Sequence, residues 1–202
     1  MFGTAGLENP DCRLEVHVTR LAIIGCGQMA TAHWQSISRI DDPEQMPHVR
    51  CLVDLDRTGC AELSGAIQAA GHEAVEYRDL EIMLDKEAGN LDAVIIATPD
   101  WIHHEQTIRC LRAGLHVHCE KPMSNRIEWA REMVKVAQET GRLLEIGFQR
   151  CSNPRYLALR DGIVAGYHRL GRLSHAYARW HRSITLSHLI FRPSRRWSAP
   201  PC

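Results

Sequence analysis

Three short polar segments of this chain could do chemistry, and each directly follows an apolar run. Residues 25 to 30 read Gly-Cys-Gly-Gln-Met-Ala, Asp54 ends the next apolar run, and Glu120-Lys121-Pro122 follows a later one. Glycines between a strand and a helix permit a tight turn and bring the backbone close to a pyrophosphate. Alone, this segment is weak evidence for such a turn, because glycine pairs also form ordinary turns.

The surroundings of the glycines strengthen the phosphate-binding interpretation. Gly25 would permit the tight turn, and Gly27 would let the backbone approach the pyrophosphate closely. Gln28 and Met29 would begin a helix whose positive N-terminus faces the phosphates. The Asp54 carboxylate can accept hydrogen bonds from an adenosine ribose and repels a 2′-phosphate, which favours NAD. Arg57 nearby leaves NADP open. These residues are therefore candidate cofactor-binding residues.

Apolar, β-branched runs alternate with amphipathic stretches at the spacing of parallel βαβ units. The predicted strands are Thr19 to Ile24, Val49 to Asp54, Glu73 to Tyr77, Asp92 to Ala97, Leu115 to Cys119 and Leu143 to Phe148. The predicted helices are Gly27 to Ile40, Thr58 to Ala70, Leu80 to Glu87, Ile102 to Ala113 and Ser124 to Glu139. This pattern predicts an α/β fold with a doubly wound parallel sheet, the Rossmann arrangement, whose ligands bind at the carboxyl ends of the strands.

The pattern changes after Phe148. Asn153-Pro154 opens a predicted helix to about Val164, a strand is predicted at Leu173 to Trp180, and the periodicity fades after His181. We therefore expect a flexible leader over residues 1–18, a dinucleotide-binding domain over 19–148, and a linker helix over 149–202. That last segment would also hold the start of a truncated second α/β domain and an irregular tail.

Composition narrows the functional class. With 45% apolar residues and a formal net charge of zero, the chain suits a soluble globular protein, and it has no apolar run of the ~20 residues that span a bilayer. The leader lacks a basic segment followed by an apolar one, so it does not resemble a signal peptide. Eight cysteines without a Cys-x-x-Cys pair indicate a reducing cytoplasm. We expect neither a membrane association nor a membrane partner.

Charge and histidine spacing argue against two further kinds of partner. All 24 acidic residues lie within residues 1–161, whereas 162–202 carry seven arginines and no acid. Because these arginines alternate with apolar residues instead of clustering, we expect no nucleic-acid partner. The twelve histidines show no metal-ligand spacing beyond the chance proximity of His116 and His118, so no metal site is expected.

Four motifs in order resemble the glucose-fructose oxidoreductase, inositol dehydrogenase and MocA (Gfo/Idh/MocA) family, over about Arg20 to Trp180. They are Ala-Ile-Ile-Gly-Cys-Gly-Gln-Met-Ala at 22–30, Ile-Ile-Ala-Thr-Pro-Asp-Trp-Ile-His at 95–103, Ala-Gly-Leu-His-Val-His-Cys-Glu-Lys-Pro at 113–122, and Gly-Phe-Gln-Arg at 147–150 with Asn153-Pro154. The resemblance implies an NAD(P)-dependent oxidoreductase that transfers hydride between the nicotinamide and a sugar or polyol hydroxyl.

The resemblance also implies roles for individual residues. Thr98, Pro99 and His103 would line the loop over the cofactor, although His103 could equally be a polar residue at a helix start. Glu120 and Lys121 would lie beside the nicotinamide ribose and ring, with Lys121 as the catalytic residue that exchanges a proton with the substrate. The Lys121-Pro122 bond would be cis. Taken alone, this segment could be a solvated turn, but its place at the carboxyl end of a strand favours the functional role.

The chain departs from the family where the family's second domain supplies an aspartate and a histidine to the substrate. No counterpart of these residues is found, so an alternative is a catalytically incomplete nucleotide-binding fragment that lacks the substrate domain. Because relatives often dimerise through that domain, oligomerisation is doubtful.

Overall fold

The computed structural model describes residues 18–151, 153–164, 175–176 and 189–190. Of the predicted leader, only Val18 is among them. The chain divides after Phe148 into two compact units.

The first unit is built on a six-stranded parallel sheet with the strand order β3-β2-β1-β4-β5-β6. This order is doubly wound, since the chain starts at an inner strand, runs to one edge and then returns past its start to the other edge. The predicted α/β Rossmann fold is confirmed, and each predicted strand lies within two residues of its position. The strands are β1 (Arg20–Ile24), β2 (His48–Val53), β3 (Val75–Tyr77), β4 (Ala93–Ile96), β5 (His116–Cys119) and β6 (Leu144–Ile146).

Five helices connect these strands. They are α1 (Gln28–Ile37), α2 (Arg57–Ala69), α3 (Leu80–Glu87), α4 (His103–Arg112) and α5 (Ile127–Thr140). Helix α1 ends three residues earlier than predicted, because Arg39 and Ile40 donate to carbonyls three positions back and so tighten the last turn. Helix α5 begins three residues later than predicted, because the Ser124 hydroxyl accepts a hydrogen bond from the Arg126 N–H in a turn before the helix.

Helices cover both faces of the sheet, which explains why its central strands read as continuous apolar runs. On one face, Leu21 and Ile23 pack with Trp34 of α1 and Leu63 of α2. On the other face lies a cluster that includes buried side chains of α3, α4 and α5, with Met133 fully buried. Burial of the two apolar layers is the main stabilising contribution to the unit.

The strand register brings the predicted site residues to one edge of the sheet. The last residues of β1, β2, β4 and β5 are paired across the sheet, so the residues that follow them lie side by side at the carboxyl edge. These following residues are Gly25, Asp54, Ala97 and Glu120. Because ligands of open α/β sheets bind at this edge, the fold places the candidate residues where a dinucleotide would lie.

The second unit contains the predicted linker helix, here α6 (Pro154–Val164). It also contains two antiparallel strands, β7 (His175–Ala176) and β8 (Leu189–Ile190). Strand β7 lies within the strand predicted at Leu173 to Trp180. Strand β8, which pairs with β7, lies within the segment after His181 where an irregular tail was predicted. The rest of that tail lies outside the described residues. Among the helices of the described part of the chain, none is long and apolar enough to cross a membrane.

Candidate functional site

Gly25 forms the turn between β1 and the first helix in a conformation that only glycine adopts easily. Its φ angle is +89°, and a Cβ atom at this position would lie 2.8 Å from both the Ala97 carbonyl and the Thr98 side chain. Its N–H donates to the Val53 carbonyl over 2.8 Å. The backbone conformation and the close approach of the neighbouring loop therefore both require glycine here.

Gly27 is different, because its backbone angles of φ −81° and ψ −164° suit any residue. A Cβ atom here would meet no protein atom within 4 Å. The glycine also begins α1, whose N-terminus receives no hydrogen bond from any side chain that the structure describes. Helix α2, in contrast, is capped by Asp56, and α3 by Asp79. The N-terminal N–H groups of α1 are thus left for an anion in the open space beside Gly27.

The Asp54 carboxylate holds the glycine turn in place. Its Oδ2 atom accepts a hydrogen bond from the Cys26 N–H over 2.6 Å, and its Oδ1 atom accepts one from the Asp56 N–H over 2.8 Å. Each carboxylate oxygen has a second lone pair. Asp54 can therefore brace the turn and still accept hydrogen bonds from a ribose.

A cavity of about 820 Å³ lies at this edge of the sheet. Its lining includes seven of the residues that the sequence analysis selected. These are Gly25, Gly27, Gln28, Met29, Asp54, Thr98 and Pro99. Sequence reasoning did not select several other lining residues. Most of them carry no motif of their own and reach the cavity from loops and helix starts, and the motif at 95–103 gave no role to Trp101 and Ile102. The lining residues that were not selected are Leu55, Arg78, Asp79, Leu80, Trp101, Ile102 and Gln106.

The loop after β4 is fixed on the far side of this cavity. The Ala97 N–H donates to the Ile24 carbonyl over 2.8 Å, and the Thr98 hydroxyl donates to the Gln106 side chain over 2.6 Å. Trp101 follows in the same loop and is 62% exposed at the cavity. Trp101 gives the cavity a large flat apolar surface.

His103 is buried behind the cavity wall instead of lining the cavity. Its Nδ1 and Nε2 atoms lie 2.9 Å from the carbonyl oxygens of Pro122 and Thr98, respectively. A neutral imidazole has one N–H and donates to one of these carbonyls at a time. Of the two roles considered from sequence, cofactor contact and polar helix start, this position at the first residue of α4 matches the second. The ring also links the Thr98 loop to the turn after β5.

Glu120 and Lys121 lie next to each other but have opposite surroundings. Glu120 is 5% exposed, whereas the Lys121 side chain is exposed. The Lys121 N–H donates to Glu120 Oε2 over 3.2 Å, and the Lys121-Pro122 peptide is cis. A Cβ atom at Gly147 would lie 3.2 Å from the Glu120 carboxyl group, so glycine at this position leaves room for the carboxylate. Neither Glu120 nor Lys121 lines the cavity described above.

Two histidines approach the buried Glu120 carboxylate. His33 Nε2 lies 3.0 Å from Glu120 Oε1, and the rings of His33 and His118 meet edge to face at 5.3 Å between centroids. Burial lowers the pKa of His33, although the hydrogen bond to Glu120 opposes this. The Nε2 atom of His118 is buried and has no hydrogen-bond partner among the described residues. Sequence spacing could not reveal this cluster, because 85 positions separate the two histidines.

Five cysteines of the described part of the chain are buried, free thiols, as their positions in apolar runs predict: Cys26, Cys51, Cys60, Cys110 and Cys119. Burial raises the pKa of each thiol, to about 12 for Cys51 and Cys110 and to about 11 for Cys119. Cys151 is exposed. The buried thiols pack as small apolar side chains.

The glycine turn, the Asp54 carboxylate and the open helix N-terminus at the carboxyl edge of a doubly wound sheet define a dinucleotide-binding domain of the Rossmann class. Residues 19–148 match the model of the Gfo/Idh/MocA oxidoreductase family, described as its NAD-binding Rossmann fold. The chain belongs to this family, and the domain is its NAD-binding Rossmann domain.

Individual relatives support the same assignment. The chain is 32% identical over 147 residues to the 4-carboxy-2-hydroxymuconate-6-semialdehyde dehydrogenase of a Sphingobium species. The match covers 73% of this chain and 44% of that protein. Myo-inositol 2-dehydrogenase from Lactobacillus plantarum is 29% identical, with a TM-score of 0.65, over 75% of this chain and 42% of that one.

The dehydrogenase WlbA from Bordetella pertussis, solved with NADH and UDP-GlcNAcA, is 30% identical with a TM-score of 0.63. The match covers 74% of this chain and 40% of that one. The chain thus spans less than half the length of each of these relatives.

Proposed function

We propose that the chain binds NAD(H) in the cavity, with the pyrophosphate at the N-terminus of α1 and the adenosine ribose on Asp54. The observation that carries this proposal is the open space at Gly27, since a side chain there would occupy volume that no protein atom fills. The uncapped N-terminal N–H groups of α1 supply hydrogen-bond donors to the phosphates.

The proposed cofactor preference is for NAD over NADP. The Asp54 carboxylate would accept hydrogen bonds from the ribose hydroxyls and repel a 2′-phosphate. Arg57 follows at the start of α2, and Arg78 lines the cavity; both are cations that would favour NADP instead.

We further propose that the nicotinamide end of the cofactor lies toward Glu120 and Lys121, and that the domain serves an oxidoreductase acting on a sugar or polyol hydroxyl. The bound cofactor would exchange a hydride with the substrate carbon. The exposed Lys121 amine would exchange a proton with the substrate oxygen, and the buried Glu120 would hold the lysine backbone through the Lys121 N–H.

The reduced thiols buried in the domain support a reducing, cytoplasmic setting.

A second candidate function is dinucleotide binding without turnover. It is compatible with the extent of the match, in which the family model covers residues 19–148 and the chain spans less than half the length of each relative. Both candidates share the cofactor site, so they differ only in whether a substrate is held against it.

The binding proposal is tested by titrating NADH into the purified chain by calorimetry. Gly27→Val should abolish binding while leaving the fold intact, because a Cβ atom here meets no protein atom within 4 Å and the valine would occupy the space in which we propose that the pyrophosphate binds. Gly65→Val is the matched control, since Gly65 also faces open space but lies in the exposed part of α2. Unchanged NADH affinity in Gly27→Val would contradict the proposal.

The hydride-transfer proposal is tested by NADH formation with a panel of polyols and sugars. Turnover that is lost in Lys121→Ala and kept in Lys135→Ala supports a catalytic Lys121. Lys135 is a suitable control because it lies on α5 and pairs with Glu139. NADH binding without turnover on any substrate of the panel would select the second candidate.

A further inference from the structure

Three side chains from two parts of the fold converge at the end of β5. His33 comes from α1, His118 from β5, and Glu120 from the residue after β5. One nitrogen from each ring and one carboxylate oxygen all lie within 4.8 Å of one another. His33 and Glu120 already form a 3.0 Å hydrogen bond.

The donor set is that of a transition-metal site. Two imidazole nitrogens and a carboxylate oxygen are ligands that Zn²⁺ takes at about 2.0 to 2.2 Å. An imidazole binds a metal through a ring nitrogen that carries no proton. His118 Nε2 is buried and has no hydrogen-bond partner among the described residues. Because burial of an unpaired polar atom is costly, this nitrogen is available to a metal ion.

We propose that His33, His118 and Glu120 form a binding site for a divalent zinc-class cation, with a fourth position open to water. In the tetrahedral arrangement that Zn²⁺ prefers, two ligand atoms lie about 3.4 Å apart, given a metal–nitrogen distance of about 2.1 Å. His33 and Glu120, at 3.0 Å, are already within this distance. The largest separation in the cluster, 4.8 Å at most, needs to close by up to about 1.4 Å. The His33 proton would move to Nδ1, and the Nε2 lone pair would then face the ion.

Such an ion would link two elements that flank the dinucleotide site. His33 lies on the helix whose N-terminus faces the cavity, and Glu120 precedes Lys121. The ion would also bind the Glu120 carboxylate, toward which the proposed function directs the nicotinamide end of the cofactor. Zinc should bind when no dinucleotide is present, but zinc and NADH should influence each other's affinity through Glu120.

The experiment is calorimetric titration of the full chain with Zn²⁺, together with Co²⁺ titration followed by visible absorption. We expect one bound ion, the intense absorption of four-coordinate Co²⁺, and a Tm that rises with zinc concentration. Loss of an outer-shell partner typically weakens metal binding roughly 10- to 100-fold, so loss of a direct ligand in His118→Gln or His33→Gln should cost at least that much. Circular dichroism of each variant verifies the fold.

The matched control is His104→Gln. His104 forms a similar histidine–glutamate pair with Glu132 at 2.8 Å, but it belongs to no three-ligand cluster among the described residues. This variant should keep the parent zinc affinity. Gly27→Val should also keep it while losing NADH, so the zinc and dinucleotide proposals fail separately. Zinc affinity that is unchanged in folded His118→Gln and His33→Gln, or six-coordinate Co²⁺ absorption, would overturn the site.

Discussion

Asp54 Oδ2 accepts a 2.6 Å hydrogen bond from the Cys26 N–H, so the side chain that follows β2 supports the backbone turn that follows β1. One carboxylate thereby serves both the shape of the pyrophosphate turn and the proposed contact with the ribose. A substitution at this position should change the overall affinity for dinucleotide as well as the choice between NAD and NADP.

Asp54→Ser tests this double role. We expect weaker NADH binding, and a preference for NADH over NADPH that narrows by about 1 to 3 kcal/mol, the scale of hydrogen bonds to charged groups. Relative affinities from calorimetry measure both effects. Asp56→Ser is the control, because Asp56 caps α2 through the Thr58 N–H and should affect stability more than preference. Tighter binding of NADPH than NADH by the parent chain would contradict the assigned preference.

The two glycines of the turn should respond differently to the same substitution. Gly25→Ala forces a side chain into a positive φ conformation and within 2.8 Å of the next loop, so we expect destabilisation of about 2 to 5 kcal/mol. In Gly27→Ala the new Cβ atom meets no protein atom within 4 Å. The free energy of unfolding of this variant should therefore stay within about 0.5 kcal/mol of that of the parent chain. Chemical denaturation measures both values. Equal losses of stability would show that the turn does not have this geometry.

Adjacent residues of α5 provide a test of the core. Met133 is fully buried, whereas Val134 is 45% exposed. Met133→Ala should lower the free energy of unfolding by about 2 to 5 kcal/mol, through lost burial and the cavity that remains. Val134→Ala should stay within about 1 kcal/mol, since its side chain is only half buried. Denaturation of the two variants under the same conditions measures the difference.

Acidification should destabilise the domain through His48. Its pKa lies below the ordinary 6.5, because burial disfavours the charged ring and because His72 and Arg50 add positive charge nearby. As pH falls below 6.5, the unfolded chain binds a proton that the folded chain resists, so the free energy of unfolding decreases. His33 acts in the same direction. The decrease should be smaller in His48→Gln, measured by denaturation at several pH values; an unchanged slope would exclude this contribution.

Local patterns predicted the sheet and selected several of the residues that line the cavity. The apolar runs predicted the positions of the strands, and the motifs selected residues such as Gly27 and Thr98 that line the cavity. Local patterns could not predict contacts that depend on distant parts of the chain. His33 and Glu120 meet only because α1 packs beside the end of β5, and His103 is buried only because two loops close over it. Their sequence neighbourhoods contain no sign of either contact.

The reactivity of the buried thiols can be used to measure local opening of the domain. Only the thiolate reacts readily with disulfide reagents, and burial both shields these groups and raises their pKa, to about 12 for Cys51 and Cys110. Cys51 lies in β2, Cys110 in α4 and Cys119 in β5. The rate at which each thiol is modified under native conditions would therefore report how often that strand or helix separates from its neighbours, without any introduced label.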